Sequence, residues 1–219
     1  MSVNNPWAMA LPVADTEKVV RTFVDEFHAL ALAEAGEFAF AQLEKDITRR
    51  LTVHLHAVLA DTLKSGFWDF EISTACSDMT DFRRLDITYS TVRDDKNARL
   101  IFECKKLYAG NEKKAKAARR YYVDHGVHRF VRGSYAPMDS AAFLVGFVAT
   151  VGQGELKNLR ASLASTGTRA AMRLRDYGSK RYWRSPPALF AQHADFETCH
   201  LRDKPYPEIT LYHLELPFS

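Results

Sequence analysis

Long apolar runs are missing from this chain. A membrane-spanning helix needs roughly 18 or more consecutive apolar residues. The longest run, Ala141 to Val151, suits a buried strand instead. Cysteine is scarce: Cys76, Cys104 and Cys199 are odd in number, widely spaced and without a CxxC pair. That excludes a zinc ribbon or a disulfide framework and points to a reducing, cytoplasmic setting. The start, MSVNNPWAMALPVADTEK, lacks a basic stretch leading into an apolar one, so no secretory leader is predicted. Glycine is sparse and nowhere forms a phosphate-cradling loop; Gly152-Gln-Gly154 is too short. A G-x-S-x-G nucleophile elbow is absent too. Internal repeats and low-complexity tracts are missing, and so is any stretch that reads as an interdomain linker. A single domain over 1–219 is therefore expected, long enough to bury a sizeable core.

A large net charge is also lacking: the formal value is +3. Its distribution is uneven. From Lys157 to Arg184 eight Lys or Arg face one Asp (Asp176), a net of +7 that leaves −4 for the remainder. Tyr177, Tyr182 and Trp183 interleave with these cations, as a surface holding phosphates and stacking bases would require. Arg181 and Arg184 are the candidate contacts there. The alternative is a solvated Arg-rich helix followed by a loop.

The periodicities present predict a helix from Asp15, as N-cap, to about Leu32, with Val20, Phe23, Val24, Phe27 and Leu30 on one face. A second helix is predicted from about Glu34 to Lys64, with a stripe of Phe40, Leu43, Ile47, Leu51, Leu55 and Val58 and a stop at Ser65-Gly66. Strands are expected at Phe67 to Ile72, at Arg83 to Val92 and, after a turn from Arg93 to Ala98, at Arg99 to Leu107. A helix capped by Asn111 and running to about Asp124 follows. Ala141 to Val151 reads as a central strand buried on both faces. More helix lies between Glu155 and Arg175, and late strands near Phe196 to Leu201 and Ile209 to Leu216. The fold class is α/β, a central mixed sheet flanked by helices.

Strand periodicity places Glu103 and Lys105 of LIFECKKLY on one face, with Leu100, Phe102 and Cys104 on the other. Asp86 sits mid-strand on the preceding element and approaches Glu103 if the two strands pair. Glu-x-Lys is a weak pattern by itself, and Glu112-Lys113-Lys114, Glu155-Leu156-Lys157 and Asp94-Asp95-Lys96 resemble it. Those three lie in polar turns or at helix starts, where charge is solvated. Only Glu103-Cys104-Lys105 lies within Leu, Ile and Phe, where burying charge is expensive. The alternative is an amphipathic edge strand with a structural ion pair. Glu44 falls within the apolar arc of the second helix, with Glu37 seven residues earlier on the same face. It is either a further carboxylate of the strand cluster or an edge residue paired with an Arg.

The order of helix with Glu44, Asp86, Glu103-Cys104-Lys105, helix and apolar strand resembles the PD-(D/E)XK, or restriction-endonuclease-like, nuclease superfamily. The resemblance covers roughly 34–151, leaving 1–33 as an N-terminal helical addition and 152–219 as a C-terminal one. It implies a Mg²⁺ ion, for which Mn²⁺ can substitute, held by Asp86, Glu103 and the Cys104 carbonyl, with Lys105 orienting or activating water. It implies phosphodiester hydrolysis, expected on DNA, and a stand-alone restriction or phage-defence nuclease acting as a homodimer or within a larger defence complex. Leu85 stands where the name-giving proline would precede Asp86; that proline is often missing in the superfamily. Lys113, Lys116 and Arg120 fall within about one 60° arc of the following helix and would grip substrate phosphates.

Two other readings stand beside this one. Arg120-Tyr-Tyr-Val-Asp-His125 fits the Arg-x4-His pattern of HEPN ribonucleases, which cleave RNA without metal on an all-helical fold. A nucleic-acid-binding module that has lost activity would lack a carboxylate or the lysine, and none is missing here. Among the histidines, His54 and His56 do not share a helix face, and His125 and His128 lie near a helix end. His200 and His213 fall in late strands, where His200 with Arg202 could line a phosphate site.

Overall fold

The computed structural model describes residues 12–62, 66–75, 82–93, 96–149 and 155–218. Cys76, Asp94-Asp95 and Gly152–Gly154, named above, lie outside the described residues. In chain order the elements are helix α1 (Val13–Ala33), α2 (Glu44–Thr62), strands β1 (Gly66–Ala75), β2 (Phe82–Arg93) and β3 (Lys96–Lys106), and α3 (Glu112–Tyr121). A π-helical turn (Tyr122–Val127) and a short α4 (His128–Val131) continue α3 without a break. Then come β4 (Ala141–Val148), α5 (Glu155–Ala164), α6 (Thr166–Ala171), β5 (Phe196–His200) and β6 (Ile209–Pro217).

The six strands form one mixed sheet in the order β1-β2-β3-β4-β6-β5. β1, β2 and β3 are an antiparallel meander, β4 is parallel to both β3 and β6, and β5 is antiparallel to β6. The expected α/β class with helices flanking a central sheet is what forms. The eight residues of β4 are all buried, as an interior strand covered on both faces requires. The C-terminal strands are built into the same sheet, since β6 pairs with β4 along its whole length.

Each sheet face carries its own core. On one, Phe102, Cys104, Phe143, Val145 and Phe147 meet Val19, Val20, Phe23 and Phe27 of α1 and Ile47, Leu51 and Leu55 of α2. Phe23 stacks on Phe102 with centroids 4.4 Å apart, and Phe27 on Phe147 at 5.5 Å. The apolar stripe of α1 is thus occupied by its own sheet. On the other face, Ile101, Ala142 and Leu144 meet Tyr122, Val127 and Phe130 of the α3–α4 crossover and Leu159 and Leu163 of α5.

Three boundaries differ from expectation. α1 starts at Val13 after Pro12, with no side-chain cap, and Asp15 lies in its first turn, where a carboxylate still favours the helix dipole. The β2–β3 hairpin is tighter than the expected 93–98 turn, because Thr91↔Ala98, Val92↔Asn97 and Arg93↔Lys96 extend the ladder. The larger correction concerns α2, which begins at Glu44 and not Glu34; residues 34–43 are turns. Arg50 explains part of this, reaching Glu34 at 2.5 Å and Glu37 at 2.6 Å. In a continuous helix those residues would lie about 20 Å or more along the axis. The non-helical segment also leaves the Phe40 and Gln42 carbonyls free to accept from Lys106 Nζ, at 2.8 Å for Gln42. Phe40 therefore packs from a loop, and Leu43 is exposed rather than part of the stripe. No helix among the described residues is long and apolar enough to cross a membrane.

Candidate active site

The register of β2 on β3 builds the site. The pairs run from Arg93↔Lys96 to Ile87↔Phe102. Asp86 comes next, opposite Glu103, and there its side chain replaces the backbone ladder: Oδ2 accepts from the Cys104 amide at 2.8 Å. β3 meanwhile stays paired to β4 as far as Lys106. The sheet thus opens between β2 and β3 where Glu103 and Lys105 project.

Lys105 Nζ is the hub. It lies 2.9 Å from Glu103 Oε1, 3.2 Å from Asp86 Oδ2 and 3.2 Å from Glu44 Oε1, and donates to the Cys104 carbonyl at 2.6 Å. Its side chain is 4% exposed and that of Glu103 1%. Glu44, the first residue of α2, also accepts from the Lys106 amide through Oε2 at 2.9 Å, which ties the helix start to the end of β3. The structure brings Glu44 to Lys105 although the helix starts ten residues later than expected, because the spacing from Glu44 to Ile47, Leu51 and Leu55 lies within α2. Glu37 takes the other course, pairing with Arg50 away from the strands. Gly126 of the π turn is the close-approach glycine: a Cβ there would fall 2.9 Å from Leu144 Cδ2 and 4.0 Å from Lys105 Cγ.

Three carboxylates around one ammonium leave an excess of negative charge in a largely dry place. Burial, then the charge of Asp86, push the Glu103 carboxyl up to about 8. Burial alone would lower Lys105, but Glu103, Asp86 and Glu44 outweigh it and hold the ammonium well above the usual lysine range. Both Glu103 oxygens are buried; Lys105 Nζ at 2.9 Å and Arg129 Nη1 at 3.9 Å approach Oε1 alone, and hydrogen bonds do not saturate the carboxyl. A buried acceptor left unmet costs about 1–3 kcal/mol, more for a charged group.

A divalent cation fits these residues. Its ligands would be Asp86, Glu103 and the Cys104 carbonyl, all hard oxygens, and the unmet Glu103 oxygens are the position it would satisfy. Among the described residues no group of three or more His, Cys, Asp or Glu is placed so that it could hold a metal ion by itself. Two carboxylates with the remaining positions left to water and phosphate is the usual mode for Mg²⁺. The Cys104 thiol takes no part: it faces the α1–α2 core, and burial pushes it well above the usual thiol range.

The remaining candidates are dispersed. Lys113, Lys116 and Arg120 are exposed on α3. Lys116 and Arg120 border a groove shared with Asn158 and Ser162 of α5, and Arg120 pairs with Asp124 at 3.2 Å. The segment 174–184 runs along β5 through bridges Leu174↔His200 and Arg184↔Glu197. Arg184 is paired there with buried Glu197 at 3.4 Å and lies over Tyr177, while Arg181 is exposed in the turn organised by Asp176. His125 stacks on Tyr121 with centroids 4.4 Å apart. With Arg120 it sits beside a six-stranded sheet, not in the all-helical frame that the Arg-x4-His reading implies. Arg202 cannot line a phosphate site with His200: its guanidinium serves the carbonyls of Ala136, Asp139 and Pro207, and His200 is fully buried.

Two neighbours of the cluster were missed. Arg129 of α4 has Nη1 3.9 Å from Glu103 Oε1 and donates to the Tyr135 hydroxyl. Nothing in its local sequence marks it; the β3–α3–β4 crossover brings it there. Lys114, with Tyr121, flanks the buried Ala118 on the face of α3 that turns toward the end of β3. Small residues at Ala115 and Ala118 were the available signal for that face. No family model, curated protein or solved structure matches the chain.

Proposed function

We propose that the protein is a Mg²⁺-dependent nuclease of the PD-(D/E)XK, restriction-endonuclease-like class that hydrolyses phosphodiester bonds in DNA, with Mn²⁺ able to substitute. The observation that carries this reading is the buried Glu103 carboxyl beside Asp86 on the neighbouring strand, with Lys105 between them and the Glu103 oxygens not saturated by hydrogen bonds. The edge-strand alternative fails on topology, since β3 is interior.

A bound divalent cation would neutralise charge on the scissile phosphate and lower the pKa of water. Asp86 and Glu103 fix the side of the sheet on which the phosphate is held. Lys105 is an ammonium, so it donates: its three N–H groups face Glu44, Asp86 and the Cys104 carbonyl, and with a cation on Asp86 the N–H released there would orient the attacking water in line with the phosphorus–oxygen bond that breaks. Glu44 and Asp86 position Lys105 by holding its Nζ at 3.2 Å each.

The test is cleavage of supercoiled plasmid, linear duplex, single-stranded DNA and RNA in Mg²⁺, Mn²⁺ and EDTA. Cutting that needs metal and is lost in folded Asp86→Ala and Lys105→Ala supports the reading. RNA cutting that survives EDTA and both substitutions but is lost in His125→Ala overturns it.

A further inference from the structure

Beside the catalytic cluster lies a groove of about 480 Å³, within the range of small-ligand sites. Glu44 and Lys106 are common to both, and the Lys106 amide donates to the same Glu44 carboxylate that holds Lys105. Leu43 borders the groove from the turn just before α2, and Lys114 and Tyr121 from α3. The groove is chemically two-sided. Leu43 (62% exposed) and Tyr121 (49%) are among the few large apolar side chains left in solvent. The Tyr121 ring is backed by His125 in a near-parallel stack at 4.4 Å, which fixes its plane. Against this apolar pair stand two ammoniums: Lys114 Nζ lies 3.9 Å from the Tyr108 centroid, and Lys106 Nζ, 5.5 Å from that ring and 4.4 Å from Phe40, gives two of its three N–H groups to the Phe40 and Gln42 carbonyls and keeps one for a ligand.

From this we infer that the groove binds one unpaired nucleotide of the substrate strand, its base against Tyr121 and Leu43 and its phosphate at Lys114 and Lys106. A braced aromatic ring accepts any base face, while paired lysines accept the phosphate that accompanies it. A base within a duplex cannot offer its face to a tyrosine, so the groove selects single-stranded DNA or a frayed end next to the scissile bond. The inference rests on the nuclease reading for its position along the strand, but its test does not depend on cutting.

Fluorescence anisotropy of labelled dT8 and of a blunt 12-base-pair duplex, both in EDTA, gives that test. The parent binds dT8 more tightly than the duplex. Tyr121→Ala weakens dT8 binding about fivefold or more, as for loss of one stacked base, and leaves duplex binding unchanged. Tyr121→Phe restores it, and Lys114→Ala lowers the salt dependence of dT8 binding. Equal dT8 binding by parent and Tyr121→Ala, equal losses on both ligands, or no dT8 binding by the parent overturns the inference. Metal-dependent cutting that needs Asp86, together with Tyr121→Ala binding dT8 like the parent, refutes the groove alone. Tyr121-dependent dT8 binding without cutting by any form supports the groove and sinks the nuclease reading.

Discussion

Glu103 is where the account is most exposed to measurement. Its carboxyl titrates near 8 because it is buried and faces Asp86. The folded protein therefore holds a proton that the unfolded chain releases at ordinary carboxylate pH. Between about 4.5 and 8 the folded state binds more protons, so this group makes stability fall as pH rises through that window. Calorimetric melting in EDTA at pH 6 and pH 9 should show the fall, of order a few kcal/mol at about 1.4 kcal/mol per pKa unit. Glu103→Gln should remove much of it, and an unchanged slope in that variant would contradict the assignment. A metal ligand must be ionised, so Mn²⁺ affinity should weaken as pH drops below about 8. Arg129, 3.9 Å from Glu103, lowers the carboxyl. Arg129→Ala should therefore move that pH dependence upward and weaken Mn²⁺ binding at pH 7 by about tenfold, as loss of an outer ligand-orienting group does.

At the scale of elements, two polar contacts hold the C-terminal half. His200 Nδ1 faces the Met172 carbonyl at 2.7 Å, so it carries the proton and Nε2 accepts from Thr198. The Thr198 oxygen then accepts from His213 Nε2 at 2.9 Å, and His213 Nδ1 accepts from Tyr122 at 2.9 Å. One directed chain thus ties the π turn, β6, β5 and the end of α6. Burial lowers His200 to about 4 and His213 well below its usual range. The unfolded chain gains those protons first, so the stability they contribute is complete above pH 6.5 and falls toward pH 4. Denaturant melts of Glu103→Gln, which lacks the opposing Glu103 slope, should show a loss between pH 6.5 and 5, and a flat profile in that variant would count against buried neutral imidazoles. Arg184 is the second contact. Because Glu197 is buried, Arg184→Ala should lower stability by about 1–3 kcal/mol, seen in chemical denaturation. No change would return Arg184 to the free basic surface that the sequence suggested.

Across the whole molecule, what was legible followed from local periodicity. Alternation in β2 and β3 and the continuous apolar run of β4 marked the sheet, and the isolation of Glu103-Cys104-Lys105 among Leu, Ile and Phe marked the site. What was not legible depended on distant partners. The late start of α2 accompanies contacts of Glu34 and Glu37 with Arg50 and of Lys106 with loop carbonyls, none visible in a helical repeat. Arg129 reaches Glu103 only through the crossover. The +7 segment looked like a nucleic-acid surface, yet three of its eight cations, Arg173, Arg175 and Arg184, pair with Asp203, Glu208 and Glu197 in and just after β5.

The proposed nuclease needs Asp86 and Glu103 to seat one divalent cation beside Lys105. Mn²⁺ titration followed by electron paramagnetic resonance at pH 8 tests it without substrate. One Mn²⁺ should bind per parent chain, with binding lost in folded Asp86→Ala and Glu103→Gln and kept in Lys105→Ala. No bound Mn²⁺ in the parent, or equal binding in Glu103→Gln, would contradict the claim and leave the cluster as a buried ion pair.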